Sequence, residues 1–177
     1  MEGITRLDLR DVAIARAAGY RVKLLGRTLR LPEGGYAAYV APQLSPEGKP
    51  IAHVSGVFNA AVIRGSAVGE TLFCGPGAGA CPTASACVAD VMDCLAGPAR
   101  FRFRWGKAGG LRDAREVVSR WYLRTGAGAS AVLAAFPEAE VLLEEGGCAF
   151  LTGPLSGYAA ETAAKTLPVL ARLRVLD

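Results

Sequence analysis

The stretch from Ala67 to Ala96, AVGETLFCGPGAGACPTASACVADVMDCLA, restricts what this chain can fold into more than any other. Its apolar run Thr71-Leu72-Phe73-Cys74 has the composition of a strand. A tight loop follows, Gly75-Pro76-Gly77-Ala78-Gly79. Then comes a segment from Thr83 to Ala96 that reads as a helix, with Thr83 as its N-cap just behind Pro82. Strand, glycine loop and helix start together form a candidate anion site. Glycines let the backbone approach a phosphate or ribose, and the first-turn N–H groups and the helix dipole favour negative charge there. Gly75-x-Gly77-x-x-Ala80 reproduces half of a dinucleotide fingerprint, although no acidic residue follows at the end of a second parallel strand. On the residues alone, a plain tight turn stands as the alternative.

The chain before this stretch alternates between strand and turn. Asp8 to Ala18 reads as a helix capped by Asp8, with Leu9, Val12, Ala13 and Ala17 on one face and Gly19 at its end. Tyr20 to Leu31 and Tyr36 to Ala41 read as strands around the turn Pro32–Gly35. Pro42 to Pro50 reads as a loop, and Val54 to Arg64 as a long strand that turns at Gly65-Ser66 into Val68–Cys74. One helix, several mostly antiparallel strands and a closing helix make an α+β unit rather than a repeated βαβ.

From Arg100 to Arg120 the chain turns basic, and Phe101, Phe103 and Trp105 alternate with arginines. A nucleic-acid platform uses such interleaving, but the period of two favours an amphipathic edge strand with a solvated face. A net charge of +4 is too mild to argue for nucleic acid. Residues 98–118 are read as a basic linker. Beyond them the order is strand (Ser119–Thr125), helix (Ala129–Phe136), strand (Glu140–Glu144), strand (Cys148–Thr152), helix (Gly157–Leu170) and strand (Arg172–Leu176). That is the βαββαβ order of ferredoxin-like domains. The predicted division is residues 1–97, the linker 98–118 and a second unit 119–177.

Few chemical sites are available. The five cysteines, Cys74, Cys81, Cys87, Cys94 and Cys148, include no C-x-x-C pair and are odd in number, which argues against metal chelation and a disulfide framework. Buried thiols in a reducing compartment are expected. His53 is the single histidine, and no acid and nucleophile accompany it. Met1-Glu2 begins no basic-then-apolar leader, and no apolar run reaches the length of a membrane span, so a soluble cytoplasmic protein without membrane contact is expected. Glu70 reads as a salt-bridge partner, Glu161 and Lys165 as a surface pair on one helix face, and Asn59 as a polar residue needing a partner inside an apolar strand.

Four stretches resemble the C-terminal part of homoserine dehydrogenase. They are Glu2-Gly3-Ile4-Thr5, Ala18 to Gly26 (AGYRVKLLG), Val54 to Ala60 (VSGVFNA), and Gly65 to Asp90 with its GPGAG loop and Pro82-Thr83-Ala84-Ser85-Ala86. The second unit is similar to a degenerate ACT domain, the regulatory module often appended to this family, through its element order and Trp121-Tyr122-Leu123-Arg124. The resemblance implies a catalytic and dimerisation domain whose glycine loop contacts NAD(P), and so implicates Gly77, Ala78, Gly79 and Thr83 in cofactor binding. It implies no catalytic residue within this chain. The family's Rossmann domain, its substrate glutamate and its Gly-x-Asp-x-x-x-Lys stretch have no counterpart here and would have to be supplied separately. Gly126-Ala127-Gly128 lies where ACT domains bind amino acids but lacks the family's Asp-x-Pro-Gly type of loop. Two expectations follow. The chain is the C-terminal portion of the enzyme, a fragment or one piece of a split enzyme, inactive by itself; or it is a stand-alone amino-acid-binding or regulatory protein derived from it. In either case the apolar strand Val54–Ile63 predicts a homodimer through the first unit.

Overall fold

The computed structural model describes residues 3–97 and 109–176. The fold is α+β, and the chain groups in space into two units: Met1–Ala52 together with Gly109–Asp177, and His53–Ala108. This grouping cuts the chain elsewhere than the sequence boundaries at 97 and 119. The expected break after residue 97 and the Phe101–Trp105 alternation lie outside the described residues.

The first unit is built on a six-stranded sheet. Its strands are β1 (Tyr20–Arg30), β2 (Tyr36–Pro46), β6 (Trp121–Thr125), β7 (Glu140–Glu144), β8 (Cys148–Leu151) and β10 (Val169–Val175), in the order β1-β2-β10-β6-β8-β7. The last four strands, with α3 (Ala129–Ala135) and α4 (Gly157–Ala164) between them, form the expected βαββαβ arrangement. Its neighbouring strands are all antiparallel. The β1–β2 hairpin joins the same sheet through a short parallel pairing of Gln43 and Leu44 with Arg174 and Val175. That seam is why the N-terminal residues group with the C-terminal ones.

Both faces of this sheet are covered over β10, β6, β8 and the second half of β2, and these strands read as largely apolar runs. One face packs Leu44, Tyr122, Ala149, Leu151, Ala171, Leu173 and Val175 around Ile14 and Ala15 of helix α1 (Leu9–Ala17). The other packs Trp121, Leu123 and Phe150 against Val132 and Phe136 of the α3 segment and Ala160 of α4. The Phe136 and Phe150 rings lie 5.3 Å apart. Helix α1 carries a capping box, in which Asp8 accepts from Arg10 N and Asp11 N and Asp11 accepts from Asp8 N. Its buried face is Asp11, Ile14 and Ala15, not the expected Leu9, Val12, Ala13 and Ala17; Leu9 is 86% exposed. The inward position goes to the acid because Arg124 and Tyr122 of β6 receive it.

Strand β2 also departs from the sequence reading, continuing through Pro42 to Pro46 where a loop was expected. Proline lacks the donor a ladder requires, but β10 pairs with β2 only at Gln43 and Leu44, between the two prolines. Three short elements complete this unit: a 3-10 turn at Ala114–Glu116 and a two-residue strand pair, β5 (Val118–Ser119) with β9 (Leu155–Ser156). The described end of the linker is held in place, since Tyr36 N donates to Gly110 O and Arg112 N to Tyr36 O.

The second unit is a hairpin and a helix: β3 (Phe58–Gly65), β4 (Gly69–Pro76) and α2 (Ala80–Leu95). A 3-10 turn, Pro50–His53, precedes it. The strand therefore begins at Phe58, not Val54, because glycine at 56 takes a left-handed turn with φ +65°. None of the described residues 53–97 is buried.

Candidate functional site

The glycine loop joins β4 to α2, as the sequence pattern requires. Gly77 N and Ala78 N both donate to Val57 O, at 3.1 and 3.4 Å, so the loop is tied to the residue leading into β3. Helix α2 starts at Ala80, three residues before Thr83. The N-cap is Gly79, with φ +116° and no side-chain cap. Thr83 instead sits in the first turn, where its hydroxyl donates to Gly79 O at 2.8 Å and its N–H to the same oxygen at 3.2 Å. Pro82 is no obstacle to this earlier start, because first-turn residues have no intrahelical acceptor for the N–H that proline lacks.

Gly77, Ala78, Gly79 and Thr83 are all exposed and fall within one short span of the surface. The N–H groups of Gly77 and Ala78 in the loop itself are taken by Val57, whereas the sequence reading aimed the N–H groups of the first helical turn at an anion. What remains is bare backbone surface. Gly75 has nothing within 4 Å of where a side chain would begin, and no side chain caps the helix start.

Of the other singled-out residues, Asn59 lies against Gly77 of this loop. Glu70 pairs with Arg64, its cross-strand neighbour, through a bond from Arg64 Nε of 3.1 Å. His53 ends the 3-10 turn and is exposed. Glu161 pairs with Arg172 at 3.3 Å and Arg115 at 3.8 Å rather than with Lys165. Cys74, Cys81, Cys87 and Cys94 are exposed and only Cys148 is buried, against the expectation of buried thiols. The apolar faces of the β3–β4 hairpin and α2 that would enclose them are themselves uncovered in this chain. Among the described residues no cluster of three metal-ligating side chains occurs, and no helix is long and apolar enough to cross a membrane.

Two N–H groups of the Gly126-Ala127-Gly128 loop, and that of Ala129 after it, are taken by neighbouring parts of the same unit. Gly126 N donates to Pro168 O at 3.3 Å, Ala127 N to Thr125 Oγ1 at 3.2 Å, and Ala129 N to Glu144 Oε1 at 3.0 Å. A side chain at Gly147 would run into the Thr125 carbonyl, so the β7–β8 turn presses on the same loop.

Two buried polar clusters escaped the sequence reading. Asp11, fully buried, accepts from Tyr122 Oη at 2.8 Å and from Arg124 Nε at 2.6 Å, while Arg124 also reaches Asp8 at 2.6 Å. Burial works to raise the Asp11 carboxyl, but the bonds from Arg124, the Asp8 backbone and Tyr122 outweigh it and hold it below the usual carboxylate range. Burial, then the bond to Asp11, pushes the Tyr122 hydroxyl well up. The second cluster is Arg174, also fully buried, with its guanidinium 4.3 Å from the Trp121 ring and 4.7 Å from the Tyr39 ring. It donates to Ala114 O, Ser119 Oγ and Val117 O. The only sequence signal for either cluster was a charged residue amid an apolar run, whose partners lie far away along the chain.

Comparison with known proteins places these features. Residues 1–92 match the family model of homoserine dehydrogenase. The homoserine dehydrogenases of Neisseria gonorrhoeae and Pseudomonas aeruginosa are each 50% identical over 93 and 92 residues, 52% of this chain and 21% of each relative. That of Corynebacterium glutamicum is 34% identical over 134 residues, 69% of this chain and 29% of the relative. The solved homoserine dehydrogenase of Thiobacillus denitrificans superposes with a TM-score of 0.83 at 32% identity, covering 98% of this chain and 46% of its own. The Staphylococcus aureus enzyme gives 0.73 at 26%, again over 98% and 46%. The chain thus spans less than half the length of these solved relatives. With the family match running over more than half of its residues and the solved relatives matching nearly all of them, this chain belongs to the homoserine dehydrogenase family.

Proposed function

We propose that this chain works as the C-terminal part of a homoserine dehydrogenase, in the NAD(P)-dependent interconversion of L-homoserine and L-aspartate 4-semialdehyde. Its role is to supply a dimer interface and one wall of the cofactor site, and by itself it does not turn over. The observation that carries this reading is the second unit: a hairpin, a glycine loop and a helix without one buried residue among those described. Such a unit is a surface for other protein to cover, not a closed site.

The nicotinamide, when bound, would give the hydride to the semialdehyde or take it from homoserine. This chain's part is to hold the ring against the exposed backbone of Gly77, Ala78 and Gly79, with Thr83 fixing Gly79 through its hydroxyl. The acid–base groups and the nucleotide-binding domain come from outside these residues.

The test is NADPH oxidation with aspartate semialdehyde. The purified chain is expected to show no rate. Mixed with the separately expressed nucleotide-binding half of a homoserine dehydrogenase, it is expected to give one, and Gly79→Asp is expected to remove it. A rate from the chain alone that survives repurification would overturn the division of labour. An inactive mixture of folded, associated halves would overturn the role of the loop.

The βαββαβ part we read as ACT-like but structural. The N–H groups of Gly126, Ala127 and Ala129 are taken by Pro168, Thr125 and Glu144, which leaves fewer donors for an amino-acid carboxylate. Calorimetry with millimolar threonine is expected to give no heat, and a saturable signal would restore the regulatory reading.

A further inference from the structure

The three glycines of the loop are glycine for different reasons. Gly79 takes φ +116°, a region that side-chain-bearing residues avoid. Gly75 lies outside that region and faces open space. Gly77 also lies outside it, so its backbone conformation does not demand glycine. Its constraint is steric. A β-carbon there would land inside the Asn59 carboxamide, 2.7 Å from Cγ and 3.2 Å from Cβ.

Asn59 is itself anomalous. It stands in the strand sequence Phe58-Asn59-Ala60-Ala61-Val62-Ile63, where asparagine is disfavoured. Its cross-strand partner is Gly75, so no side chain sits opposite and its carboxamide is free to lean on Gly77. Two residues earlier, Val57 O takes the N–H groups of Gly77 and Ala78. Residues 57–59 therefore form the bed on which the loop lies.

We propose that Asn59 is a positioning residue for the glycine loop. Its carboxamide fills the space under Gly77 and sets where Gly77 to Gly79 present their backbone to a ligand. The ligand half of this statement rests on the reading of the loop as a cofactor wall; the packing half does not.

The experiment is a double-mutant cycle in the 177-residue chain, read by amide hydrogen exchange without dinucleotide. Gly77→Ala and Asn59→Gly are each expected to speed exchange of the residue 77 and Ala78 amides roughly tenfold or more. One crowds the space and the other empties it. Combined, the added methyl occupies the volume the carboxamide vacated, and exchange is expected to return to within about threefold of the parent, a reversal of sign rather than a sum. Gly75→Ala serves as the control and is expected to change nothing. A double variant that exchanges as fast as the faster single one overturns the proposal. So does an Asn59→Gly variant in which the amides of β3 and β4 all loosen together, since Asn59 would then support the strands and not the loop. In an active mixture of halves, Asn59→Gly is expected to raise KM for NADPH roughly fivefold with kcat little changed; an unchanged KM overturns the ligand half. An inactive mixture with the exchange reversal intact would count against the cofactor reading alone.

Discussion

Asp11 is the residue on which the first unit most depends. A buried carboxylate is tolerated only when its lone pairs are used, and here Tyr122, Arg124 and the Asp8 N–H use them. Removing it leaves Arg124 with only the more exposed Asp8 as a counter-charge. Asp11→Ala is therefore expected to cost about 3–5 kcal/mol in urea unfolding at neutral pH. Tyr122→Phe, which deletes one bond and keeps the ring, is expected to cost about 1–2 kcal/mol. The pH dependence follows from the directions of the shifts. The Asp11 carboxyl is depressed in the folded chain, so its contribution is present above the unfolded value of about 3.9 and is lost as pH falls below that. The Tyr122 hydroxyl is raised, so its contribution is complete below about pH 10 and is lost above it. Asp11→Ala should flatten the acid limb of a stability–pH curve and Tyr122→Phe the alkaline limb. An acid limb unchanged in Asp11→Ala would show that the pair carries no linkage.

At the scale of elements, the seam between β2 and β10 decides whether the hairpin and the βαββαβ part behave as one body. It has few backbone bonds, and Arg174 does the rest by standing between Tyr39 of β2 and Trp121 of β6. Lysine at this position keeps the charge but not the planar stacking or the fork of donors. Arg174→Lys is expected to cost about 2 kcal/mol or more and to speed exchange in β1–β2 and β6 together; exchange that rises in β6 alone would mean two independent bodies. Much of the element order could be read from sequence, because Trp121-Tyr122-Leu123 and Cys148 to Leu151 are apolar runs bounded by turns. The errors have local causes. Pro42 and Pro46 mimic a loop, and nothing nearby indicates that their missing N–H groups are not needed. Pro82 looks like a residue in front of a helix when it is inside the first turn. The burial of Asp11 and Arg174 could not be read from a periodicity that counts only apolar positions. In the candidate site, the glycine loop was legible as a pattern, whereas the reason for Gly77 required knowing that Asn59 lies beneath it.

For the whole molecule, the second unit makes association the central question. Side chains alternate along a strand, so Phe58, Val62 and Leu72 line one face of the hairpin and Ile63 and Phe73 the other. Phe58 and Phe73 are 51% and 58% exposed. A two-stranded ribbon apolar on both faces and open at both edges is unstable alone and prone to pair. The chain is expected to sediment as a dimer at micromolar concentration, burying on the order of 800 Å² per partner, and Phe58→Asp to give a monomer. A monodisperse monomer of the parent would refute this, and a soluble dimer of Phe58→Asp would move the interface elsewhere. The discontinuous first unit also governs how the chain can be made. Strand β10 lies between β2 and β6 but follows both in the chain, so it leaves the ribosome after them. Until Arg174 and Val175 emerge, Gln43 and Leu44 of β2 have no neighbour on that side, and the closing contact spans most of the chain. The apolar hairpin of the second unit is synthesised during that interval. A nascent chain can therefore meet its partner before its own sheet is complete, and one that stops short of Val169 is left with β2 and β6 as two further open strand edges and no means of closing either.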